Sequence, residues 1–143
     1  IDYAHSPDSI EKVLKTLNEI KRKNSLITVI GCGGDRDFKK RPIMGNIVAS
    51  LSDFVVFTSD NPRSEDPDQI INQMINGVDQ KDLFKVNSIV DRKSAIEFAC
   101  MMNGKNDVIL VAGKGHEKFQ VFSDNRIEFN DKKILEKALN KTT

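Results

Sequence analysis

The sequence predicts an α/β protein with a doubly wound, mostly parallel sheet and helices on both of its faces. Short runs rich in β-branched residues alternate along the chain with segments whose apolar residues recur at helical spacing. Two of these runs, residues 26–30 and 108–112, are almost continuously apolar, which is typical of strands buried on both faces. Strands that alternate with helices of about 10 to 15 residues favour βαβ units.

The first part of the chain contains three predicted helices. Ser6 and Pro7, a cap followed by a first-turn proline, begin the first helix. Pro42 begins the second helix, and Asp66 with Pro67 caps and begins the third. The strands predicted in this part are residues 26–30, residues 54–58 and, as a weak strand, residues 84–86.

The second part contains a helix, a strand, a hairpin and a last helix. Asp91 caps the first of these helices, and Arg92, just inside the cap, is expected to be a solvated charge. Residues 108–112 are expected to form the central strand of the sheet. Asn130 or Asp131 caps the last helix. The hairpin strands are predicted at residues 119–122 and 126–129.

Length and charge restrict the class of protein. The 143 residues fit one domain, residues 1–143, and because the chain opens on Ile1 inside an apparent motif we expect a fragment of a longer protein. The 22 Lys and Arg residues against 21 Asp and Glu residues leave a formal charge of +1, which argues against generic nucleic-acid binding. No apolar stretch reaches the roughly 20 residues of a membrane helix, which argues against a membrane protein.

Cysteine usage favours a reducing cytoplasm. Cys32 and Cys100 have neither metal-ligand nor CxxC spacing, and Cys100 lies on an apolar helical face that places it in the core. No large apolar stripe is left over once the helices cover the sheet, so we expect a cytoplasmic monomer.

Three loops of unusual composition follow predicted strands: the glycine loop (residues 31–37), the DNPR loop (residues 60–63) and the GKGHE loop (residues 113–117). Ligands of open parallel sheets bind beyond the carboxyl ends of the strands, near the point where the strand order reverses. Each loop combines glycine or proline with charges that an ordinary connection does not need. We therefore expect the three loops to form a ligand site.

The glycine and DNPR loops each allow two interpretations. The glycine loop brings backbone N–H groups close to an anion with Arg36 above it, or it is a tight turn with solvated charges. In the DNPR loop Pro62 fixes a turn in which Arg63 pairs with a carboxylate and Asp60 holds an ammonium, as a zwitterionic amino acid requires. The alternative is an Asx-type turn with a surface arginine. The nucleotide-loop patterns GxxxxGK[ST] and GxGxxG are absent from the chain.

The GKGHE loop offers Glu117 as a second acceptor for an ammonium group. His116 either positions that group or satisfies a backbone carbonyl. A nucleophile pair of Cys32 with His116 has no signature around either residue. A metal site from Asp35, Asp37, His116 and Glu117 lacks a spacing that fixes two ligands together.

Five motifs then occur in the order seen in one family. They are DYAHSP at residues 2–7, GCGGDRD at 31–37 with KRP at 40–42, DNPR at 60–63 with EDP at 65–67, DR at 91–92 and GKGHE at 113–117. They resemble the C-terminal domain of the Mur ligases, and in particular the members that add the third residue of the peptidoglycan stem peptide. The resemblance covers essentially the whole chain.

The resemblance implies an ATP-dependent ligase that adds meso-diaminopimelate to UDP-N-acetylmuramoyl-L-alanyl-D-glutamate through an acyl phosphate. ATP and Mg²⁺ would be held mainly by a central domain and the UDP-sugar by an N-terminal domain, neither of which lies in this chain. This domain would then deliver the amino acid, contain no catalytic residue or metal ligand of its own, and be inactive alone.

Residue by residue, the resemblance implies a binding site for the incoming amino acid and a contact to ATP. Asp2 matches a residue that contacts the ribose of ATP, and Arg63 is the family's mark for meso-diaminopimelate rather than L-lysine. A lysine-adding member and a stand-alone amino-acid-binding α/β module remain as alternatives. The residues that match the amino-acid site are Arg36, Asp60, Asn61, Arg63, Gly113 and Glu117.

Overall fold

A computed structural model of the protein describes residues 1–142, which form five α-helices, six β-strands and one 3₁₀ helix. The helices are α1 (Pro7–Lys21), α2 (Lys40–Leu51), α3 (Pro67–Asn76), α4 (Arg92–Met102) and α5 (Asp131–Thr142). The strands are β1 (Leu26–Ile30), β2 (Phe54–Phe57), β3 (Val86–Ser88), β4 (Val108–Ala112), β5 (Phe119–Phe122) and β6 (Asn125–Glu128). The 3₁₀ helix, Gln80–Lys85, precedes β3.

Four strands form one parallel sheet in the order β3-β2-β1-β4. The chain moves outward from β1 to β2 and β3, then crosses back to place β4 on the other side of β1. The strand order therefore reverses between β1 and β4, and the predicted doubly wound α/β fold is confirmed. β5 and β6 form a separate antiparallel hairpin.

Both faces of the sheet are buried by helices. On β1, Leu26 and Ile30 belong to a core cluster shared with α1, α2 and α3. Ile27 and Val29, which alternate with them, belong to a second cluster shared with α4 and α5. Every residue of β1 is buried for this reason, as its continuous apolar sequence predicts.

Side-chain caps set the helix starts that the sequence predicts. Ser6 forms a capping box with Ser9, and Asp66 and Asp91 each accept a backbone N–H of the helix that follows. Asn130 caps α5, because its Oδ1 accepts the N–H of Lys133 at 3.1 Å. α2 differs from prediction: it begins at Lys40, two residues before the proline.

Two predictions about strands are wrong. Residues 108–112 form the edge strand β4, not the central one, since only β1 pairs with it along its length and Asp2 adds a single bridge to Ala112. Helices cover both faces of β4, so its sequence is as apolar as that of a central strand. The weak strand predicted at residues 84–86 lies two residues further along the chain: Phe84 is 81% exposed in the 3₁₀ helix, and β3 spans Val86–Ser88.

Within residues 1–142 no helix has the length and apolar character needed to cross a lipid bilayer.

Candidate functional site

The three predicted loops meet in one cleft at the carboxyl ends of β1, β2 and β4. The cleft has a volume of about 410 Å³ and lies where the strand order reverses. All six residues proposed for the amino-acid site line it: Arg36, Asp60, Asn61, Arg63, Gly113 and Glu117. Asp2 lies beside the cleft, next to Tyr3, which is one of its lining residues.

The glycine and DNPR loops are bonded to each other. The N–H of Gly34 donates to the Asn61 carbonyl at 2.7 Å, and Arg63 Nη1 donates to the Gly34 carbonyl at 2.8 Å. A Cβ atom on Gly34 would lie 1.8 Å from the carbonyl oxygen of Pro62, so no other residue fits here without moving the DNPR loop. The glycine loop is thus a tight turn and also a wall of the cleft.

Arg63 is held in a left-handed backbone conformation with φ of 53°. This conformation costs a non-glycine residue roughly 1–2 kcal/mol, and two hydrogen bonds to the hairpin stabilise it. The Arg63 N–H donates to the Val121 carbonyl at 2.9 Å, and the Ser123 N–H donates to the Arg63 carbonyl at 2.6 Å. With Nη1 engaged by Gly34, the Nε and Nη2 donors remain for a carboxylate in the cleft.

A buried lysine, whose role the sequence does not predict, fixes the start of the DNPR loop. Lys114 is fully buried, and its Nζ donates to Asp60 Oδ1 at 3.0 Å and to Asn61 Oδ1 at 2.7 Å. Asp60 Oδ2 lies on the Gly113 side, 2.9 Å from where a Cβ atom of that glycine would stand. One oxygen of Asp60 therefore belongs to the protein's own ion pair, and the other borders the cleft.

The GKGHE loop contributes a glycine and a carboxylate to the lining of the cleft. Gly113 has φ of 106°, which L side chains rarely adopt, and its N–H donates to the Asp2 carbonyl at 3.1 Å. Glu117 closes a turn by donating its N–H to the Lys114 carbonyl at 3.0 Å. Among residues 1–142 no side chain forms an ion pair with the Glu117 carboxylate, which leaves it available to a cationic ligand.

A second buried cation, Arg41, lies under the glycine loop. It is 2% exposed, donates from Nη2 to the Gly33 carbonyl at 2.9 Å and pairs with Glu65 at 2.7 Å. Arg36 is exposed at the rim, where its Nη1 donates to the carbonyl of Asp35 at 3.0 Å. The KRP motif that contains Arg41 is the only signal in the sequence for this support.

Arg92 is not a solvated charge as predicted. Its side chain is fully buried and forms an ion pair with Asp131, which is buried too. Burial opposes its charge, but hydrogen bonds and the negative charge of Asp131 raise the pKa of Arg92 above its ordinary value. The sequence places Arg92 next to a helix cap, where most arginines are exposed, and Asp131 is 39 residues away.

The cysteine chemistry considered for the cleft is disfavoured. Burial, together with the negative charge of Asp60, raises the pKa of Cys32 to about 12, so its thiolate is scarce near neutral pH. His116 is exposed and its ring lies 5.7 Å from that of Tyr3. Cys100 is buried in the core as predicted. Within the described part of the chain no group of three or more His, Cys, Asp or Glu side chains could hold a metal ion.

Comparison with known families decides the class of this domain. A family model described as "Mur ligase, glutamate ligase domain" matches residues 1–115. The chain belongs to the Mur ligase family. The resemblance carried by the five motifs is confirmed, and the cleft is formed largely by residues of this Mur ligase region.

Relatives of this Mur ligase domain are longer proteins. It is 49% identical over 139 residues to the UDP-N-acetylmuramoyl-L-alanyl-D-glutamate--2,6-diaminopimelate ligase of Cytophaga hutchinsonii, covering 97% of this chain and 29% of that protein. The ligase of the same name from Bacteroides thetaiotaomicron is 50% identical over 141 residues, which are 98% of this chain and 29% of that protein. The chain therefore spans less than a third of the length of these curated relatives.

A solved structure bearing the same ligase name has the same fold. It superposes with a TM-score of 0.88 at 41% identity, and the match covers 98% of this chain and 28% of that one. The hairpin and α5, which lie beyond the residues matched by the family model, are within this structural match.

Proposed function

We propose that this chain is the amino-acid-binding C-terminal domain of an ATP-dependent ligase that joins meso-diaminopimelate to UDP-N-acetylmuramoyl-L-alanyl-D-glutamate. The observation that carries the proposal is the charge pattern of the cleft. Arg36 and Arg63 line the same cleft of about 410 Å³ as Asp60 and Glu117, and these four side chains come from the loops after three different strands. The ligase activity in the relatives' names supports the same substrate.

The charge pattern suits a ligand with a carboxylate and an ammonium group at each end. Arg36 at the rim of the glycine loop would pair with one carboxylate, and Arg63 would donate side-on from Nε and Nη2 to the distal carboxylate. Glu117, which has no ion pair within residues 1–142, would accept the distal ammonium. Asn61 and Gly113 complete the walls between these charges.

Arg63 is the group that would select meso-diaminopimelate over L-lysine. Lysine lacks the distal carboxylate, so its binding would leave a half-buried guanidinium without its partner. A site built around a charged hydrogen-bonding group rejects an analogue that lacks the matching group by about 10⁴-fold. The lysine-adding alternative therefore predicts that Arg63 is dispensable, and our proposal predicts that it is not.

The remaining parts of the reaction belong, in this proposal, to the rest of the ligase. ATP would supply the phosphoryl group that activates the substrate carboxylate as an acyl phosphate. Asp2 would accept a ribose hydroxyl. In support of this role, its backbone is held beside the cleft by bonds to Val111 and Gly113, and its Oδ1 accepts the Ala4 N–H at 2.7 Å. We assign Mg²⁺ to the other domains, as the family resemblance implies.

This domain's own contribution is to bind and orient the amino acid. The neutral amine of meso-diaminopimelate would attack the acyl-phosphate carbon, and the tetrahedral intermediate would collapse to the amide as phosphate leaves and the nitrogen loses a proton. Holding the amine close to that carbon would supply much of the rate. We place the complete ligase in the cytoplasm, in keeping with two free cysteines. The 143-residue chain alone should bind the amino acid weakly and turn over nothing.

The test is Arg63→Ala in the full-length ligase, assayed with meso-diaminopimelate. Loss of a bidentate, charge-assisted pair is expected to lower kcat/KM by about 10²- to 10⁴-fold, mostly through KM. Arg126→Ala is the matched control, because Arg126 lies over the Phe119 ring and outside the cleft lining. Unchanged kcat/KM in Arg63→Ala would contradict the assigned selectivity.

A second measurement separates the ligase from a stand-alone binding module. Calorimetry on the 143-residue chain should show at most weak binding of meso-diaminopimelate, because a delivery domain completes its site only on closure. Micromolar binding by the chain alone, with no ligation by the full-length protein, would favour the stand-alone module instead.

A further inference from the structure

Besides the buried Lys114–Asp60 ion pair, a second buried side chain connects the DNPR loop and the GKGHE loop. Arg92, at the first position of α4, donates from Nη1 to the Ser59 carbonyl at 3.3 Å and from Nη2 to the Ala112 carbonyl at 3.1 Å. Ser59 directly precedes the DNPR loop, and Ala112 directly precedes the GKGHE loop. A single guanidinium thus connects the ends of β2 and β4, which are not neighbours in the sheet.

Asp131 holds this guanidinium in place. Arg92 Nε donates to Asp131 Oδ1 at 2.8 Å and Nη2 donates to Asp131 Oδ2 at 2.7 Å, and both side chains are fully buried. Asp131 is the first residue of α5, so the packing of α5 on α4 fixes the plane of the guanidinium. Asp131 also lies outside residues 1–115, the part that the family model matches.

The geometry explains why an arginine is needed. The two carboxylate oxygens and the two carbonyls lie around the edge of one planar group, which presents five N–H donors in fixed directions. A lysine ammonium is a point donor and cannot reach four acceptors spread around a guanidinium. An ion pair with a purely structural role needs only a positive charge, which lysine also supplies. Replacing the arginine by lysine therefore distinguishes a structural role from one that depends on the shape of the guanidinium.

We propose that Arg92, oriented by Asp131, is a positioning residue for amino-acid binding: it sets the spacing between the DNPR and GKGHE loops and hence between Arg63 and Glu117. This inference rests on the proposed function, because those two residues are assigned to opposite charges of one ligand. A displacement of about 1 Å between groups that hold a substrate can lower activity by about 100-fold.

The test compares Arg92→Lys with wild type in the full-length ligase. The KM for meso-diaminopimelate is expected to rise at least about tenfold, while the KM values for ATP and the UDP-linked substrate stay within about twofold. Lys21→Met is the matched control, since it breaks the Lys21–Asp53 ion pair, which involves none of the cleft loops. Equal changes in all three KM values, or none, would overturn the proposal.

A second variant keeps the proposal testable if Arg92→Lys does not fold. Arg92→Met/Asp131→Leu replaces the buried pair with apolar side chains, which often preserves stability. The urea midpoint should therefore lie near that of wild type. The KM defect should persist, because the carbonyls of Ser59 and Ala112 still lose the hydrogen bonds from Arg92. A KM restored to the wild-type value would overturn the proposal.

Hydrogen exchange separates failure of this inference from failure of the proposed function. Peptides covering residues 58–64 and 112–118 of the full-length protein should exchange faster in Arg92→Lys, and residues 10–21 of α1 should not. This readout needs no ligase activity. Unchanged exchange in both cleft peptides would overturn the proposal even if the wild-type protein proved to ligate a different amino acid.

Discussion

At the scale of single residues, Lys114 and Asp60 show how the cleft is kept in shape. Lys114 is fully buried, and its charge is balanced by Asp60 while Asn61 accepts a further hydrogen bond. Gln120 adds a bond from the hairpin, since its Nε2 donates to the Asp60 carbonyl at 2.7 Å. The DNPR loop is therefore positioned from below by Lys114 and from the side by the hairpin.

Lys114→Met is expected to destabilise the fold by about 3–5 kcal/mol, because it leaves the Asp60 carboxylate without its buried partner. Urea unfolding at neutral pH measures this change. The double variant Lys114→Met/Asp60→Asn should recover at least part of the loss, since the uncompensated charge is gone. A single variant as stable as wild type would show that Asp60 is solvated rather than paired.

The sequence predicts most of the residues that line the cleft but not those that support it. Arg63 and Glu117 stand in short, unusual motifs at strand ends, where chemistry is readable from residue type and position. Lys114 and Arg92 also stand in such motifs, yet their burial depends on partners 54 and 39 residues away. Local sequence contains no signal for such a long-range pair, so Arg92 was expected in solvent.

At the scale of secondary-structure elements, the close packing of α2 on α3 depends on one position. Gly45 in α2 lies so near α3 that an added Cβ atom would stand 1.9 Å from the carbonyl oxygen of Met74. Helix interiors ordinarily favour alanine over glycine by about 1 kcal/mol. At position 45 the close contact with Met74 makes alanine less favourable than glycine.

Gly45→Ala is expected to lower the free energy of unfolding by about 1–3 kcal/mol, because the two helices must separate to admit a methyl group. Gly104→Ala is the control: the three atoms nearest to its added Cβ atom all belong to the Asp107 side chain, and none belongs to the backbone of another helix. Chemical denaturation of both variants checks the prediction. A Gly45→Ala protein more stable than wild type would mean that the helices are farther apart than described.

Element boundaries follow local rules where caps are present. Ser6, Asp66 and Asp91 begin their helices as predicted, since each cap acts on N–H groups two or three residues away. The wrong prediction of a strand at Phe84 has a different cause. Phe84 favours a strand by residue type, but the Asp79 side chain accepts the Lys81 N–H and starts a 3₁₀ turn instead.

At the scale of the whole molecule, topology accounts for the position of the site. Parallel strands bring the ends of β1, β2 and β4 to one edge, and the reversal of strand order next to β1 leaves a cleft between their loops. The sequence predicts this edge, although it does not predict that β4 is the outer strand. The order of the strands in the sheet depends on how the connecting helices cross it. The sequence of a strand that is buried on both faces contains no information about that order.

The near-neutral charge of the chain agrees with the proposed ligand. A formal charge of +1 over 143 residues gives no long-range attraction for an anionic or cationic partner. In the proposed function, selection comes from fixed charges of both signs within a single cleft, which suits an amino acid with two carboxylates and two ammonium groups. Arg63 and Glu117 are the two charges to which we assign the selectivity for meso-diaminopimelate.

The measurement that tests this claim most directly is the ratio of kcat/KM for meso-diaminopimelate to that for L-lysine in the full-length wild-type ligase. The unmatched Arg63 guanidinium predicts a ratio of about 10⁴ in favour of meso-diaminopimelate. A ratio near one, or a preference for lysine, would contradict the assignment of the cleft.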